Sequence, residues 1–245
     1  MSKFGAVLAG IMLIVGTSAA QPPKETPKLD PNDPLDSLLM KWEKTMTGTE
    51  SFLAKNCARI EKGKTGTKTY QGEIRFLKPG YFGLKMVQTQ NPKIYELFVC
   101  TGNRLYDYRP QSKRLVIHEL PAGKTGSMHG VQQLLLGMTA AGIKRQFDVR
   151  LIPGGTQVNP DFVTIEIKPR NIEDKRAFSQ VQVVLWAKSM LPRRLTIEQS
   201  NGDEVIWDLP NVDTETKLKP ADFTPPKAPA DWEQQTAPRT EPARP

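Results

Sequence analysis

The side chains that could act as nucleophiles, general bases or metal ligands are few and far apart. The 245-residue sequence contains two histidines, His118 and His129, and two cysteines, Cys57 and Cys100. Neither histidine stands in a nucleophile-elbow, zinc-protease or cysteine–histidine context, and metal ligands at zinc-finger spacing are missing. His118 and Glu119 are neighbours on a predicted strand, so their side chains point to opposite faces and cannot act as a pair. The sequence therefore predicts no enzymatic activity, no metal site and no cofactor.

A segment rich in glycine and lysine, GKTGTK at residues 63–68, has the composition of a phosphate-binding loop. Such a loop must end directly at the N-terminus of a helix, where backbone amides meet the phosphates. The next predicted element here is instead a strand at Gly72. We therefore expect residues 62–68 to be a flexible connection between two strands.

Residues 1–20 have the features of a secretory signal peptide. Lys3 precedes an apolar block from Phe4 to Gly16, and small residues occupy both positions that a signal peptidase inspects before a cut after Ala20. The block is too short to span a bilayer comfortably, although an uncleaved anchor is the alternative. No cysteine follows it, as lipid attachment would require. We expect a mature protein that is periplasmic or secreted.

Export would place Cys57 and Cys100 in an oxidising compartment, where two cysteines favour one disulfide. The bond would close a loop of about 42 residues and stabilise the fold by roughly 3 to 4 kcal/mol. Two buried, unpaired thiols are the alternative, because the sequence does not show whether the two Cα atoms approach each other.

The net charge of +8 is spread along the chain. There is no long run of Lys and Arg and no cluster of aromatic and basic residues, so the sequence predicts no nucleic-acid partner. If the charge has a partner, an anionic membrane face is the most plausible one, in a peripheral contact. The length suits one globular domain, and a monomer is expected.

Proline-rich segments mark the limits of this domain. Residues 21–33 contain four prolines and almost no apolar side chain, which predicts an extended tether. Prolines recur from Pro225 to the C-terminus, which predicts a disordered tail at residues 233–245. Residues 34–232 are left as the folded domain.

Two amphipathic helices are predicted. Apolar residues recur at helical spacing after an Asp33 N-cap, from Leu35 to Met46, and again after a Ser127 N-cap, from Val131 to Met138. Gly142 is expected beyond the end of the second helix. Either helix could pack on a core or cover an open sheet.

The segment from Gly72 to Leu120 predicts a meander of antiparallel hairpins. Its turns are marked by Pro79-Gly80 and Gly102-Asn103, and apolar residues such as Leu84 and Met86 share a face between them. The strand before the meander alternates in the same way, with Phe52, Ala54, Ala58 and Ile60 on one face. About ten strands are expected in all, without the crossover helices of a parallel sheet.

These elements resemble the outer-membrane lipoprotein carrier (LolA-like) family, over residues 33–120 and 200–232. The whole chain resembles more closely a group of uncharacterised secreted bacterial proteins within that superfamily. The matching features are Gly72, Lys78-Pro79, Gly102, Leu105, Tyr108-Pro110, and Phe223 with Pro225-Pro226.

The resemblance implies a mainly β fold with α: an incomplete antiparallel β-barrel of about ten or eleven strands, covered by two or three helices around an apolar cavity. Candidates to line the cavity are Phe76, Phe82, Leu84, Met86, Leu97, Val99, Tyr106, Tyr108 and Val116. Candidates for the lid are Trp42, Met46, Lys78, Leu135 and Met138. Ordinary core packing is the alternative for each of these residues. Lys78 takes the place of an arginine that helps to hold the lid shut in typical carriers, and lysine cannot form the same planar fork of hydrogen bonds.

Two functions are therefore expected as alternatives. The first is a non-enzymatic periplasmic protein that binds acyl chains of lipid or lipoprotein in the cavity and could act as a carrier. The second is a LolA-like sensor or protein-interaction module of the cell envelope.

Overall fold

The structure is a computed structural model that describes residues 27–120, 139–152 and 160–237. Its helices are α1 (Pro34–Gly48), α2 (Ala140–Gln146) and α3 (Ile172–Ala177), with 3-10 turns at Pro110–Ser112 and Pro220–Phe223. Its strands are β1 (Ser51–Gly63), β2 (Gly66–Leu77), β3 (Tyr81–Gln88), β4 (Tyr95–Thr101), β5 (Arg104–Arg109), β6 (Arg114–Glu119), β7 (Phe147–Ile152), β8 (Phe162–Pro169), β9 (Phe178–Trp186), β10 (Pro192–Gln199), β11 (Glu204–Asp208), β12 (Asn211–Asp213) and β13 (Glu233–Ala237).

The strands form one large open sheet. Its order is β13-β6-β5-β4-β3-β2-β1-β11-β10-β9-β8-β7, and β12 pairs with β1 beside β11. All pairs are antiparallel except that of β13 with β6. In the described part of the chain the two edges, β13 and β7, do not pair, so the incomplete barrel is confirmed. The predicted meander is confirmed as β2 to β6.

One face of this sheet carries the helices. Val183, Leu195, Trp207, Arg59 and Tyr70 are cross-strand partners in one row, so their side chains project to the same side. Four side chains of α1 belong to the same core cluster as Val183. We call this side of the sheet the helical face and the other side the opposite face.

A β-bulge interrupts the pairing of β1 with β2. Pairing with β2 shifts between Ala54 and Cys57, and Asn56 between them has φ of +54°. Gly72 pairs with Cys57, and a Cβ atom on it would lie 1.7 Å from the carbonyl oxygen of Lys85. Strands β2 and β3 can approach this closely only because position 72 is glycine.

Because of the bulge, the residues of β1 that follow it face the side of the sheet opposite to the one predicted. The alternation in sequence placed Ala58 and Ile60 with Phe52 and Ala54, but the extra residue moves Cys57 and Arg59 onto the helical face. Cys57 and Arg59 are fully buried there, whereas Ala58 and Ile60 are partly exposed on the opposite face.

Helix α1 begins where the sequence predicted. The Asp33 side chain accepts a hydrogen bond from the backbone nitrogen of Asp36 at 2.9 Å, which caps the first turn. The apolar stripe of α1 packs against strands β8 and β9 and against α2. Its buried side chains are Leu38, Leu39, Trp42 and Met46.

Several boundaries differ from those predicted. Residues 62–68 are not a loose connection, because β1 and β2 continue to a tight turn between Gly63 and Gly66. Leu29 packs against the α1 cluster, so the expected tether is part of the domain from residue 27, while residues 21–26 lie outside the described residues. Gly142 lies inside α2, a helix that was not predicted. The second predicted helix, Ser127 to Met138, and the signal peptide lie outside the described residues.

The C-terminal segment is also more ordered than predicted. Residues 233–237 form β13 instead of a disordered tail, and only residues 238–245 lie outside the description. We call residues 218–237 the C-terminal strap. It crosses the opposite face and buries an apolar cluster on β4 to β6, in which Phe223 is 1% exposed.

The predicted disulfide between Cys57 and Cys100 is wrong. Both cysteines are free and buried. They lie on β1 and β4 with two strands between them, which separates the strands by about 14 Å at ordinary spacing, whereas a disulfide needs Cα atoms within about 7 Å.

Candidate functional site

A strip of apolar side chains on the helical face is left partly exposed beside α1. It lies over a buried cluster at the middle of the sheet, which includes Cys57, Leu84 and Met86. Helix α1 packs on a separate cluster over β8 and β9. We call the partly exposed residues the apolar strip: Phe52, Phe82, Ile94, Phe98, Trp207 and Val212.

Polar contacts hold α1 beside this strip. At its N-terminal end, Lys144 Nζ of α2 donates to Asp36 Oδ1 at 2.6 Å. In its middle, Glu43 accepts from the backbone nitrogen of Ala140 at 2.9 Å. At its C-terminal end, Lys78 donates to the carbonyl oxygen of Thr47 at 2.5 Å. The ammonium thus lies where the helix dipole is negative.

The predicted cavity residues do not come together on one face. Cross-strand pairing places Phe76, Phe82, Leu84, Met86 and Val116 on the helical face.

The other four predicted cavity residues are Leu97, Val99, Tyr106 and Tyr108, and they lie on the opposite face under the C-terminal strap. Residues on opposite faces of one sheet cannot line the same cavity, so the prediction that all nine do so is wrong, and only the five on the helical face remain candidates. Each strand's alternation was visible in the sequence, but the register that relates one strand to the next was not.

Of the five predicted lid residues, three lie on or beside α1 and two lie outside the described residues. Trp42 and Met46 are buried under α1, and the Trp42 indole Nε1 has no hydrogen-bond partner among the described residues. Lys78 lies at the C-terminal end of α1, as given above. Leu135 and Met138 lie outside the described residues.

A charged cluster, which the sequence did not indicate, stands at the far end of the apolar strip. Arg59 is fully buried, and its two terminal nitrogens donate to the two oxygens of Glu96 at 2.7 Å each. The second of these nitrogens also lies 3.0 Å from Glu61 Oε1. The guanidinium lies 4.3 Å from the centroid of the Tyr70 ring and 5.3 Å from that of Trp207. We call these five residues the Arg59 cluster.

The cluster shows how far the sheet curls. Arg59 lies on β1 and Glu96 on β4, and strands β2 and β3 run between them. Two hydrogen bonds across that distance require the two strands to lean toward each other over the helical face. The one signal in the sequence was the asparagine at position 56, a residue type that tolerates positive φ. Asn56 has φ of +54° and marks the bulge that turns Arg59 inward.

Burial shifts the titration of these groups. Burial alone would lower the pKa of Arg59, but the hydrogen bonds and charge of Glu96 and the charge of Glu61 raise it overall. Burial raises the pKa of Glu61 even though Arg59 acts in the other direction. Burial also raises the pKa of the Cys57 thiol to about 12, so this thiol stays protonated.

A pocket opens at the rim of the sheet, near the C-terminal end of α1. It has a volume of about 450 Å³ and is bounded by the turn between β9 and β10 and by β12. Thr45 of α1 donates to the carbonyl oxygen of Ser189 in that turn at 3.3 Å. Leu191 in the pocket packs against the α1 cluster and Val212 against the central one, so this rim pocket lies where the two clusters meet.

Comparisons with known proteins bear on the fold. No protein-family model matches the sequence, and no curated protein matches it either. An uncharacterised conserved protein from Thermus thermophilus matches in structure, with 13% identity, a TM-score of 0.51, and coverage of 82% of this chain and 98% of its own. That likeness shows the fold, which both proteins share over nearly the whole of the Thermus chain.

Two further solved structures match with lower scores. A crystal structure of MucB is 11% identical over 79% of this chain and 63% of its own, with a TM-score of 0.47. A LolA superfamily protein from Nitrosomonas europaea is 12% identical over 78% of this chain and 97% of its own, with a TM-score of 0.39. Among the described residues, no helix is both long enough and apolar enough to cross a membrane.

Proposed function

We propose that the protein is a non-enzymatic periplasmic protein that binds acyl chains of lipid or lipoprotein on the helical face. The observation that carries this proposal is the apolar strip, whose six aromatic and aliphatic side chains stay partly exposed next to a helix. Exposed apolar surface of this kind costs free energy in water, and an acyl chain laid on it regains about 0.8 kcal/mol per buried CH₂.

The rim pocket supports the same function. Its volume of about 450 Å³ lies within the usual range for ligand sites, and its lining includes Trp186, Leu191 and Val212. An acyl chain that enters there would pass between the α1 cluster and the central cluster. In this proposal Trp42, Met46 and Lys78 belong to the lid, because α1 must shift for the chain to enter or leave.

Lipid content and uptake test this proposal directly. Native mass spectrometry of the mature protein from its own envelope, followed by lipid extraction, should detect a bound lipid. The purified protein should also take up a fluorescent monoacylglycerol. Absence of both bound lipid and uptake would overturn the proposal in favour of a protein-interaction module.

A matched pair of variants locates the site. Phe82 and Val87 lie on the same strand, both partly exposed, but on the helical and opposite faces respectively. Phe82→Glu should weaken uptake by about tenfold or more, since tenfold corresponds to about 1.4 kcal/mol and a carboxylate in an apolar site costs more. Val87→Glu should leave uptake unchanged. If the two changes had equal effects on uptake, at equal far-UV circular dichroism, the acyl chain would not bind on the apolar strip.

A further inference from the structure

The Arg59 cluster lies where the head group of a chain on the apolar strip would lie. Along β1, Phe52 stands at the α1 end of the strip and Arg59 lies seven residues further, about 20 Å at the rise of a strand when the one bulged residue is discounted. Side chains between them on the helical face, such as Ala54 and Cys57, are apolar and buried. A chain that follows this direction meets its first charged groups at the cluster.

The cluster presents carboxylates, and not its guanidinium, to the surface. The side chain of Arg59 is 0% exposed, whereas those of Glu96 and Glu61 are 27% and 33% exposed. Two carboxylates stand beside one guanidinium, and Lys68, the cross-strand neighbour of Glu61, supplies the other nearby positive charge. A ligand that arrives from the strip therefore meets the partly exposed hydrogen-bond acceptors of Glu61 and Glu96 before it meets the buried guanidinium.

One donor of the cluster also lacks a partner. Arg59 Nε is buried and makes no hydrogen bond to any of the described residues. An unpaired buried donor costs about 1 to 3 kcal/mol, and an acceptor atom on a ligand would remove that cost. The groups that a ligand meets first are carboxylates, since the Arg59 side chain is 0% exposed. A head group suited to this end must therefore donate to carboxylates, which a hydroxyl group does and a carboxylate or phosphate does not.

We propose that the Arg59 cluster binds the head group of the acyl ligand and selects an uncharged, hydroxyl-bearing head over a carboxylate or phosphate head, a conclusion that rests on the function proposed above. The bidentate Glu96 pair already satisfies the terminal nitrogens of Arg59, which would otherwise attract an anion. Glu61 is the specificity-determining residue, because its exposed carboxylate repels a second negative charge.

Competition between two ligands of equal acyl-chain length, one with an uncharged and one with a charged head group, tests this head-group selection. A fluorescent monoacylglycerol bound to the full-length mature protein is displaced at pH 7 by an unlabelled monoacylglycerol or by the fatty acid of the same chain length. The uncharged competitor should act at a concentration lower by about tenfold or more, the ratio expected when a buried anion meets like charge. Glu61→Gln removes the charge and keeps the shape of the side chain. It should reduce this ratio, because the fatty acid should then bind more tightly and displace the probe at a lower concentration.

Glu73→Gln is the matched control. Glu73 lies on β2 but on the opposite face, where it pairs with Lys85 across the strands, so its loss should leave the ratio unchanged. Equal displacement by both competitors, or a ratio that Glu61→Gln does not alter, would overturn the selection while the acyl-chain function stands. Failure of the fluorescent chain to bind at all would overturn both.

Discussion

Among single residues, Asp36 shows how a buried charge is held in this fold. It is 2% exposed, accepts from Lys144 at 2.6 Å, and accepts from the backbone nitrogen of Asp30 at 2.9 Å. The hydrogen bond from Lys144 holds the pKa of the Asp36 carboxyl below its ordinary value, although burial opposes the shift. The unfolded chain therefore binds this proton at a higher pH than the folded chain does.

The sign of the resulting pH dependence follows. Between the folded and unfolded pKa values the unfolded state holds more protons, so the free energy of unfolding rises with pH there. The contribution of Asp36 is complete above about pH 4 and is lost as the pH falls through the folded pKa. Asp36→Asn should cost about 1 to 3 kcal/mol at pH 7 in urea denaturation, and less at low pH.

Asp148→Asn serves as the control for Asp36. Asp148 pairs with Arg170 at 2.7 Å but both are exposed, so its loss should cost well under about 1 kcal/mol. If the loss of unfolding free energy caused by Asp36→Asn stayed constant from pH 7 down to pH 3, the ionised Asp36 carboxylate would not be the stabilising partner of Lys144.

Sequence alone could not identify the Arg59 cluster. Arg59, Tyr70 and Glu96 are spread over three strands, and they meet only because the sheet curls. On a strand that alternates, a charged residue next to Ala58 and Ile60 indicates the solvent side, which is where the sequence placed Arg59. One inserted residue at the bulge reverses that assignment.

Among the elements, β2 and β3 are held at a distance that Gly72 sets. A methyl group at position 72 would have to occupy the place of the Lys85 carbonyl oxygen, 1.7 Å away, so the backbone must move. Gly72→Ala should lower the free energy of unfolding by about 3 kcal/mol, the upper end of the range for overpacking, as measured in urea. It should also weaken the Arg59–Glu96 contact, because the strands between these residues would spread.

Gly48 at the end of α1 offers the matched control. No atom lies within 4 Å of the Cβ that an alanine would add there. Gly48→Ala should be neutral or stabilising by up to about 1 kcal/mol, because alanine favours the helix. If both glycine changes had the same effect, close approach at Gly72 would not be the cause.

The elements themselves were largely predictable, whereas their partners were not. Local signals were sufficient for α1, with its Asp33 cap, and for the hairpins around Gly80 and Gly102, both of which have positive φ. Alternation does not reveal how far a strand extends past a turn, so β1 and β2 were predicted too short. It also does not reveal which strand faces align across the sheet, so Val99 and Tyr108 were assigned to the wrong side.

Across the molecule, the two faces of the sheet are covered in different ways. The helical face has α1 over one half and the apolar strip beside it. On the opposite face, the C-terminal strap covers β4 to β6. The Tyr108 hydroxyl donates to the carbonyl oxygen of Pro226, the guanidinium of Arg75 lies 5.9 Å from the centroid of the Phe223 ring, and the Tyr81 ring lies 5.6 Å from it. The strap thus belongs to the fold and not to a tail.

Two truncations should separate the strap's core from its terminal strand. Removal of residues 233–245 deletes β13, whose side chains are mostly exposed and whose ion pair, Arg114 with Glu233, is exposed as well. Exposed pairs contribute at most about 1 kcal/mol, so this chain should stay folded with nearly the original urea midpoint. Removal of residues 218–245 also deletes Phe223 and Ala228, and uncovers Val99 and Leu115.

The longer truncation should therefore lower the free energy of unfolding by several kcal/mol, because burial of each large apolar side chain contributes about 1.5 to 3 kcal/mol. It should also bind a dye specific for exposed apolar surface, which the shorter truncation should not. Because the strap lies on the face opposite the apolar strip, any folded fraction of the longer truncation should still take up the monoacylglycerol. Equal stability of the two truncated chains would show that the opposite face needs no cover, whereas lost uptake in a chain that remained folded would move the ligand to the strap's side of the sheet.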